Sequence, residues 1–186
     1  MSQFSRLNFS KMKPKSIWTI GHSTRSLEEF VTILHAFDIE LVVDIRSLPG
    51  SRKFPQFNKE NLEKTLPEVG IIYLHLLNLG GRRKVRKNSH NTGWQLASFR
   101  AYADYMETPE FTAAAQELQS LASEKRTAYM CAEAVWWSCH RSLVSDYLKL
   151  KGWTVMHIMD THKATEHPYT QPAVISNNRL TYPPEE

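Results

Sequence analysis

The stretch from Ile17 to Arg46 constrains this chain more than any other. Ile17-Trp18-Thr19-Ile20 is a short apolar run stopped by Gly21, the pattern of a buried strand. Ser26 followed by Glu29 is a capping box and opens a helix. Leu27, Phe30, Val31, Leu34 and Phe37 then recur at spacings of three and four, so they share one face of that helix. Glu40-Leu41-Val42-Val43-Asp44-Ile45-Arg46 is β-branched and nearly continuous in its apolar residues, as strands covered on both faces are. Strand, helix and strand within about thirty residues make a βαβ unit.

The pattern repeats. Asn58 opens a helix with Leu62 and Leu66 inside, ending near Pro67 and Gly70, and Ile71-Ile72-Tyr73-Leu74 follows as a strand. A long loop from Leu77 to Trp94 precedes helices expected over Ser98–Met106 and Pro109–Ser123, the second with proline in its first turn. Thr127-Ala128-Tyr129-Met130-Cys131 reads as a fourth strand, Cys139–Lys151 as a helix and Thr154-Val155-Met156-His157-Ile158 as a fifth strand. The expected fold class is therefore α/β, a single domain with an open, mostly parallel sheet and flanking helices. Residues 1–15, with Arg6, Lys11, Lys13 and Lys15, are expected to be a mobile basic arm; 16–160 the α/β domain; and 161–186 an irregular C-terminal tail packed on it.

Composition enters as an exclusion. With 41% hydrophobic and 23% charged residues in 186, the chain is neither disordered nor collagen-like nor a coiled coil. No apolar run approaches the roughly 18 residues of a membrane span, and no signal-peptide stretch follows Met1, so the expected location is cytoplasmic. The formal charge is +4 and there are only two cysteines.

In open α/β sheets ligands bind beyond the carboxyl ends of the strands. Those ends carry Gly21-His22-Ser23, the stretch from Arg46 to Arg52, and Cys131-Ala132-Glu133. The segment Cys131-Ala132-Glu133-Ala134-Val135-Trp136-Trp137-Ser138-Cys139-His140-Arg141 is the sharpest feature. A thiol at a helix N-terminus beside histidine and arginine is drawn toward the thiolate. Cys139 is thus a candidate nucleophile and either cysteine a candidate redox thiol, while inert packing accounts for Cys131 equally well. The spacing of Cys131, Glu133, Cys139 and His140 matches no zinc pattern of close paired ligands, so no metal and no cofactor is expected. The arginine of a cysteine-phosphatase loop would fall where Trp137 stands. A disulfide is disfavoured in a reducing compartment.

Asp44 and Arg46 either pair with each other or present a charge at the sheet edge. Ser51-Arg52, after Pro49-Gly50, offers hydroxyl, guanidinium and backbone N–H groups suited to phosphate or carboxylate. Gly21-His22-Ser23 lacks the glycine spacing of a dinucleotide fingerprint. Five of the six residues from Arg82 to Lys87 are basic, with Trp94 beyond them. Such a loop is either a solvated surface or a nucleic-acid contact. Phe99, Tyr102 and Met106 share a helical face, and Arg100 and Asp104 are spaced to pair at i, i+4.

Thr19-Ile20-Gly21-His22-Ser23, Val43-Asp44-Ile45-Arg46 with Pro49 and Ser51-Arg52, and Leu79-Gly80-Gly81 occur in the order of a known family pattern. So do Phe99 to Met106, the Cys131-Ala132-Glu133 and Cys139-His140-Arg141 halves, and Thr181-Tyr182-Pro183. From Ile17 to Pro183 the chain resembles the bacterial and archaeal family called domain of unknown function 488. It departs from that pattern between the cysteines, with Trp136 where the family often has proline. The resemblance implies one α/β domain and a pocket gathering Cys131, Glu133, Cys139 and His140 with His22, Ser23, Arg46, Ser51, Arg52, Arg100, Tyr102 and Arg141.

The resulting expectation is an enzyme, a Cys- and Glu-dependent hydrolase or transferase, acting on an anionic, phosphate-bearing small molecule or nucleic acid. Cys131, Glu133, Cys139 and His140 would do the chemistry; His22, Ser23, Arg46, Ser51, Arg52, Arg100, Tyr102 and Arg141 would hold the anion. The alternatives are a non-catalytic nucleic-acid-binding module and a redox- or metal-sensing protein.

Overall fold

In the computed structural model residues 15–184 are described. The basic arm expected over residues 1–15 lies, Lys15 apart, outside the described residues. The elements run β1 (Ser16–Gly21), α1 (Leu27–Ala36), β2 (Leu41–Asp44), α2 (Lys59–Glu68), β3 (Ile72–His75), α3 (Ala97–Met106), α4 (Pro109–Glu124), β4 (Thr127–Cys131), α5 (Arg141–Leu150) and β5 (Thr154–Ile158). Three short strands close the chain: β6 (Ala164–Glu166), β7 (Val174–Ser176) and β8 (Arg179–Thr181).

The main sheet has the order β3-β2-β4-β1-β5-β6. Its first five strands are parallel and β6 joins antiparallel at the edge. It is a single α/β domain with a mostly parallel sheet, as its alternating strand and helix patterns predict. One face packs Phe30, Leu34, Leu62 and Leu66 of α1 and α2 over Ile20, Val42 and Met130. The other packs Phe99, Phe111, Leu118, Leu143 and Leu148 of α3, α4 and α5 over Ile17, Val43, Tyr129 and Val155. A fully buried side chain of this size contributes about 1.5–3 kcal/mol by leaving water, so both layers are needed to hold the sheet.

The two-sided layering positions the site. Helices after β1 and β2 cover one face, and those after β3 and β4 cover the other. β4 lies between β1 and β2, so adjacent chains leave their carboxyl ends in opposite directions and open a crevice there.

Local signals translate directly. The capping box of α1 is formed: Ser26 Oγ accepts from the Glu29 N–H, and the Glu29 carboxylate accepts from the Ser26 N–H. The helix expected from Cys139 begins instead at Arg141, because Trp136–Ser138 forms a 3-10 turn and His140 caps the helix. The tail expected to be irregular contains β6 and the β7–β8 hairpin; strands of three residues are too short to show alternation. The i, i+4 pair expected between Arg100 and Asp104 does not form. Asp104 is buried and accepts from Ser89 and Asn91, while Arg100 donates to the Trp94 carbonyl. Neutral donors from a folded-over loop fill Asp104 Oδ1 while its buried Oδ2 has no partner, and the arginine turns to the Trp94 carbonyl instead.

Candidate functional site

At the end of β4 the chain continues pairing with β1 beyond the strand itself. The His22 N–H donates to the Cys131 carbonyl at 3.0 Å and the Ser23 N–H to the Ala132 carbonyl at 2.9 Å. Ser23 sits in the left-handed region, φ 53°. The chain then passes so close over Gly21 that a Cβ there would lie 1.7 Å from the Glu133 carbonyl oxygen; glycine is the residue that permits the approach. The loop folds back through Trp136–Ser138 and delivers Cys139 two residues before α5 begins. A separation of eight positions in sequence thus becomes side-by-side placement in space.

Cys131 Sγ and Cys139 Sγ lie 3.9 and 3.6 Å from His140 Nδ1. The other ring nitrogen of His140, Nε2, lies 3.1 Å from the Ile45 carbonyl oxygen. A carbonyl can only accept, so Nε2 carries a proton and Nδ1 is the nitrogen offered to the thiols. Tyr102, fully buried with its hydroxyl donating to the Leu79 carbonyl, sets its ring edge-on to the imidazole at 5.1 Å. Gly81 borders the same imidazole: a Cβ there would fall 2.6 Å from Nδ1.

The two thiols are driven apart in acidity. Burial pushes the Cys139 thiol up. Against it act the hydrogen bond from Cys131, the hydrogen bond and charge of His140, and the Arg141 guanidinium, which together hold it well below the usual thiol range. Cys131 is pushed well above that range by its hydrogen bond to Cys139 and by burial. One thiolate shared between two sulfurs and an imidazole, with the charge on Cys139, is the arrangement of an activated nucleophile.

Arg141 is 1% exposed. It donates to Thr19 Oγ1 at 3.0 Å and to the Glu133 carbonyl at 2.7 Å, and its Nε has no partner. Among the described residues it forms no ion pair with a carboxylate. A buried guanidinium held only by neutral acceptors keeps its field for the nearby sulfurs. Arg46, by contrast, is spent. It pairs with the fully buried Asp44 and also donates to the Phe57 carbonyl and to His22 Nε2. His22 is therefore the Nδ1–H tautomer, bonded to the Ser23 carbonyl. Burial and the charge of Arg46 lower its pKa to about 4.

A cavity of about 320 Å³ opens over the sulfurs. Of the residues expected at the site, Arg46, Cys131, Glu133, Cys139 and His140 line it. His22, Tyr102 and Arg141 stand behind its wall through the contacts above. Four do not line it: Ser23 contacts it only through its backbone bond to Ala132, and Ser51 Oγ caps the turn over Lys53 and Phe54. Arg52 is exposed on that turn, and Arg100 faces Trp94. The lining also includes Ser47, Arg82, Ser98 and Phe99, none of them among the expected site residues. Arg82 is placed there by its N–H donating to Ser47 Oγ.

A second buried group was not foreseen. Asp146 of α5 accepts from His167 Nε2 at 2.9 Å, from the Thr170 N–H and hydroxyl, and from the Tyr182 hydroxyl. His167 Nδ1 lies 2.8 Å from His157 Nε2, and Trp136 stacks on the His157 ring at 4.3 Å. The signal for it was an aspartate on the apolar face of a helix, three residues after Leu143.

A family model described as Domain of unknown function DUF488 matches residues 26–148, about two thirds of the chain. No curated protein and no solved structure matches the chain significantly. Among the described residues, no helix is long and apolar enough to cross a membrane.

Proposed function

The chain belongs to the domain of unknown function DUF488 family, and we propose that its activity is covalent catalysis by Cys139 on an anionic, phosphate-bearing substrate. The observation that carries this reading is geometric. Cys139 Sγ lies 3.6 Å from His140 Nδ1, and the other ring nitrogen is held by the Ile45 carbonyl. That is a nucleophile, a base and an orienting group in series. Cys139 attacks as the thiolate, its proton already passed to His140, and the sulfur bonds to the electrophilic centre. The leaving group departs with its electron pair and receives that proton. Water or an acceptor then releases the group from sulfur, with the exposed Glu133 at the mouth as acid or base for that step. Buried Arg141 and the mouth residue Arg82 give the cavity a positive field. The volume suits a nucleotide-sized molecule or one anionic group of a larger one. Two free thiols at its centre suit a reducing compartment such as the cytoplasm.

The exposed Arg82, Lys84, Arg86 and Lys87 beside the mouth favour a second reading, binding of nucleic acid without chemistry. It requires affinity that falls steeply with salt.

Paired electrophiles test the first reading on metal-free, reduced protein. Iodoacetate is anionic and iodoacetamide neutral, and they alkylate by the same displacement. Peptide mass spectrometry should locate the adduct on Cys139, with the iodoacetate-to-iodoacetamide rate ratio raised above that of free cysteine. Arg82→Ala should lower that ratio by about 2- to 5-fold, the scale of one exposed charge. Modification of Cys131 alone, or a ratio no higher than free cysteine gives, overturns the reading.

A further inference from the structure

The placement of Cys131, Cys139 and His140 suits a ligand set as well as thiol chemistry. The two sulfurs and Nδ1 all lie within 4.8 Å of one another. In a tetrahedral zinc centre the bond lengths to sulfur and nitrogen set a sulfur-to-nitrogen edge of roughly 3.6 Å. The edges here are 3.6 and 3.9 Å. We propose that these three side chains form a site for one thiophilic divalent cation of the zinc class, with the fourth coordination position facing the cavity.

Three further features fit a ligand set. His140 presents Nδ1 while Nε2–H is held by the Ile45 carbonyl, the outer bond that fixes the ring of a metal-ligating histidine. All three donors line the cavity floor, which leaves one approach open and gives the three-ligand form of an accessible centre. Gly81 leaves empty the space beside Nδ1 that a Cβ would take, 2.6 Å away. Two thiolates and a divalent ion sum to no net charge, a combination a buried position tolerates. Softness sets the preference: thiolate donors choose zinc, cobalt or copper(I) over magnesium or calcium.

Occupancy would engage both sulfurs and the imidazole, so the loaded protein is held out of thiol chemistry. That consequence rests on the function proposed above; the site does not. The sequence spacing conceals the site, since Cys131 and Cys139 are eight positions apart and only the folded-back loop brings them together.

Cobalt(II) is the probe. Reduced, chelator-treated full-length chain, titrated with Co²⁺, should take up one ion with sulfur-to-cobalt charge-transfer absorption and intense tetrahedral d–d bands, both bleached by Zn²⁺. Cys131→Ser and Cys139→Ser should each weaken binding by on the order of 100-fold or more, beyond what loss of an outer-shell partner costs. Circular dichroism checks that each variant folds. If neither does, the wild type decides: one equivalent of Zn²⁺ should protect both cysteines from iodoacetamide. A cobalt spectrum without thiolate bands, unchanged affinity in a folded Cys131→Ser variant, or thiols left reactive under Zn²⁺ overturns the site. The electrophile ratio is measured without metal, so either proposal can fail while the other stands.

Discussion

The Cys131–Cys139–His140 group and the Asp146–His167–His157 group lie on the same face of the sheet, and the charge of Arg141 reaches both. They differ in what ends each chain of contacts. The second ends on a carboxylate that accepts four hydrogen bonds, two of them from Thr170 and one from Tyr182 near the chain's end. Its function is visible in its satisfaction: Asp146 ties α5 to the segment after β6 and to the tail. The first ends on two sulfurs over a cavity, and among the described residues no carboxylate pairs with the guanidinium beside it. A buried polar group with every acceptor filled stabilises, whereas one left facing a cavity has reactivity to spare.

If that distinction holds, one substitution in each group should separate stability from reactivity. Asp146→Asn puts an amide where hydroxyl, imidazole and peptide donors converge, and should cost about 1–3 kcal/mol, the scale of hydrogen bonds to a buried charged group and of the partners left unsatisfied. Chemical denaturation measures it, and in the folded fraction Cys139 should still alkylate. Cys139→Ser should do the reverse, with stability within about 1 kcal/mol of wild type and alkylation abolished. Equal losses of stability in both variants would erase the comparison.

Acid sharpens it further. Burial, His167 and Arg141 lower the His157 pKa to about 2, and His22 is lowered to about 4, against 6.5 in the unfolded chain. The unfolded state therefore binds protons that the native state refuses. Stability is full above pH 6.5 and falls as the pH drops, through about 4 for His22 and on toward about 2 for His157. Each such histidine removes roughly 1.4 kcal/mol per pH unit inside its window. His157→Phe keeps the stack on Trp136 and removes one titrating group, so its melting temperature should fall less steeply between pH 6 and 4.5. An unchanged slope would place the acid-sensitive element elsewhere.

Much of this was legible before folding, for reasons particular residues make plain. Thr127–Cys131 and Thr154–Ile158 are strands bounded by a change of periodicity, and the Ser26–Glu29 box acts entirely within four residues. Cys131, Glu133, Cys139 and His140 share one segment, so their convergence needed only a turn. Arg82 lies in a basic run of its own, far from that segment in sequence. It reaches the cavity because its backbone N–H donates to Ser47, thirty-five positions earlier. Arg100 and Asp104 had the right spacing for a pair, and the loop carrying Ser89 and Asn91 took the aspartate instead. The Asp146 group joins α5, β5 and the tail, and no local pattern links positions so far apart.

Trp136 is where the two groups meet. It lies between the cysteines in sequence and stacks on His157 with an interplanar angle of 3°, so it fastens the loop that sets the thiols to the group that sets the tail. Trp136→Ala should remove that stack at about 1 kcal/mol beyond the buried area it loses. Its second consequence is diagnostic. If the stack positions the loop, Cys139 should lose the acidity that Cys131, His140 and Arg141 confer together, and its alkylation rate should rise with pH as a free thiol's does. Trp136→Phe should restore the wild-type profile. A profile that stays acid-shifted in the alanine variant would mean that α5 alone sets the thiolate, and that the two groups are neighbours without being coupled.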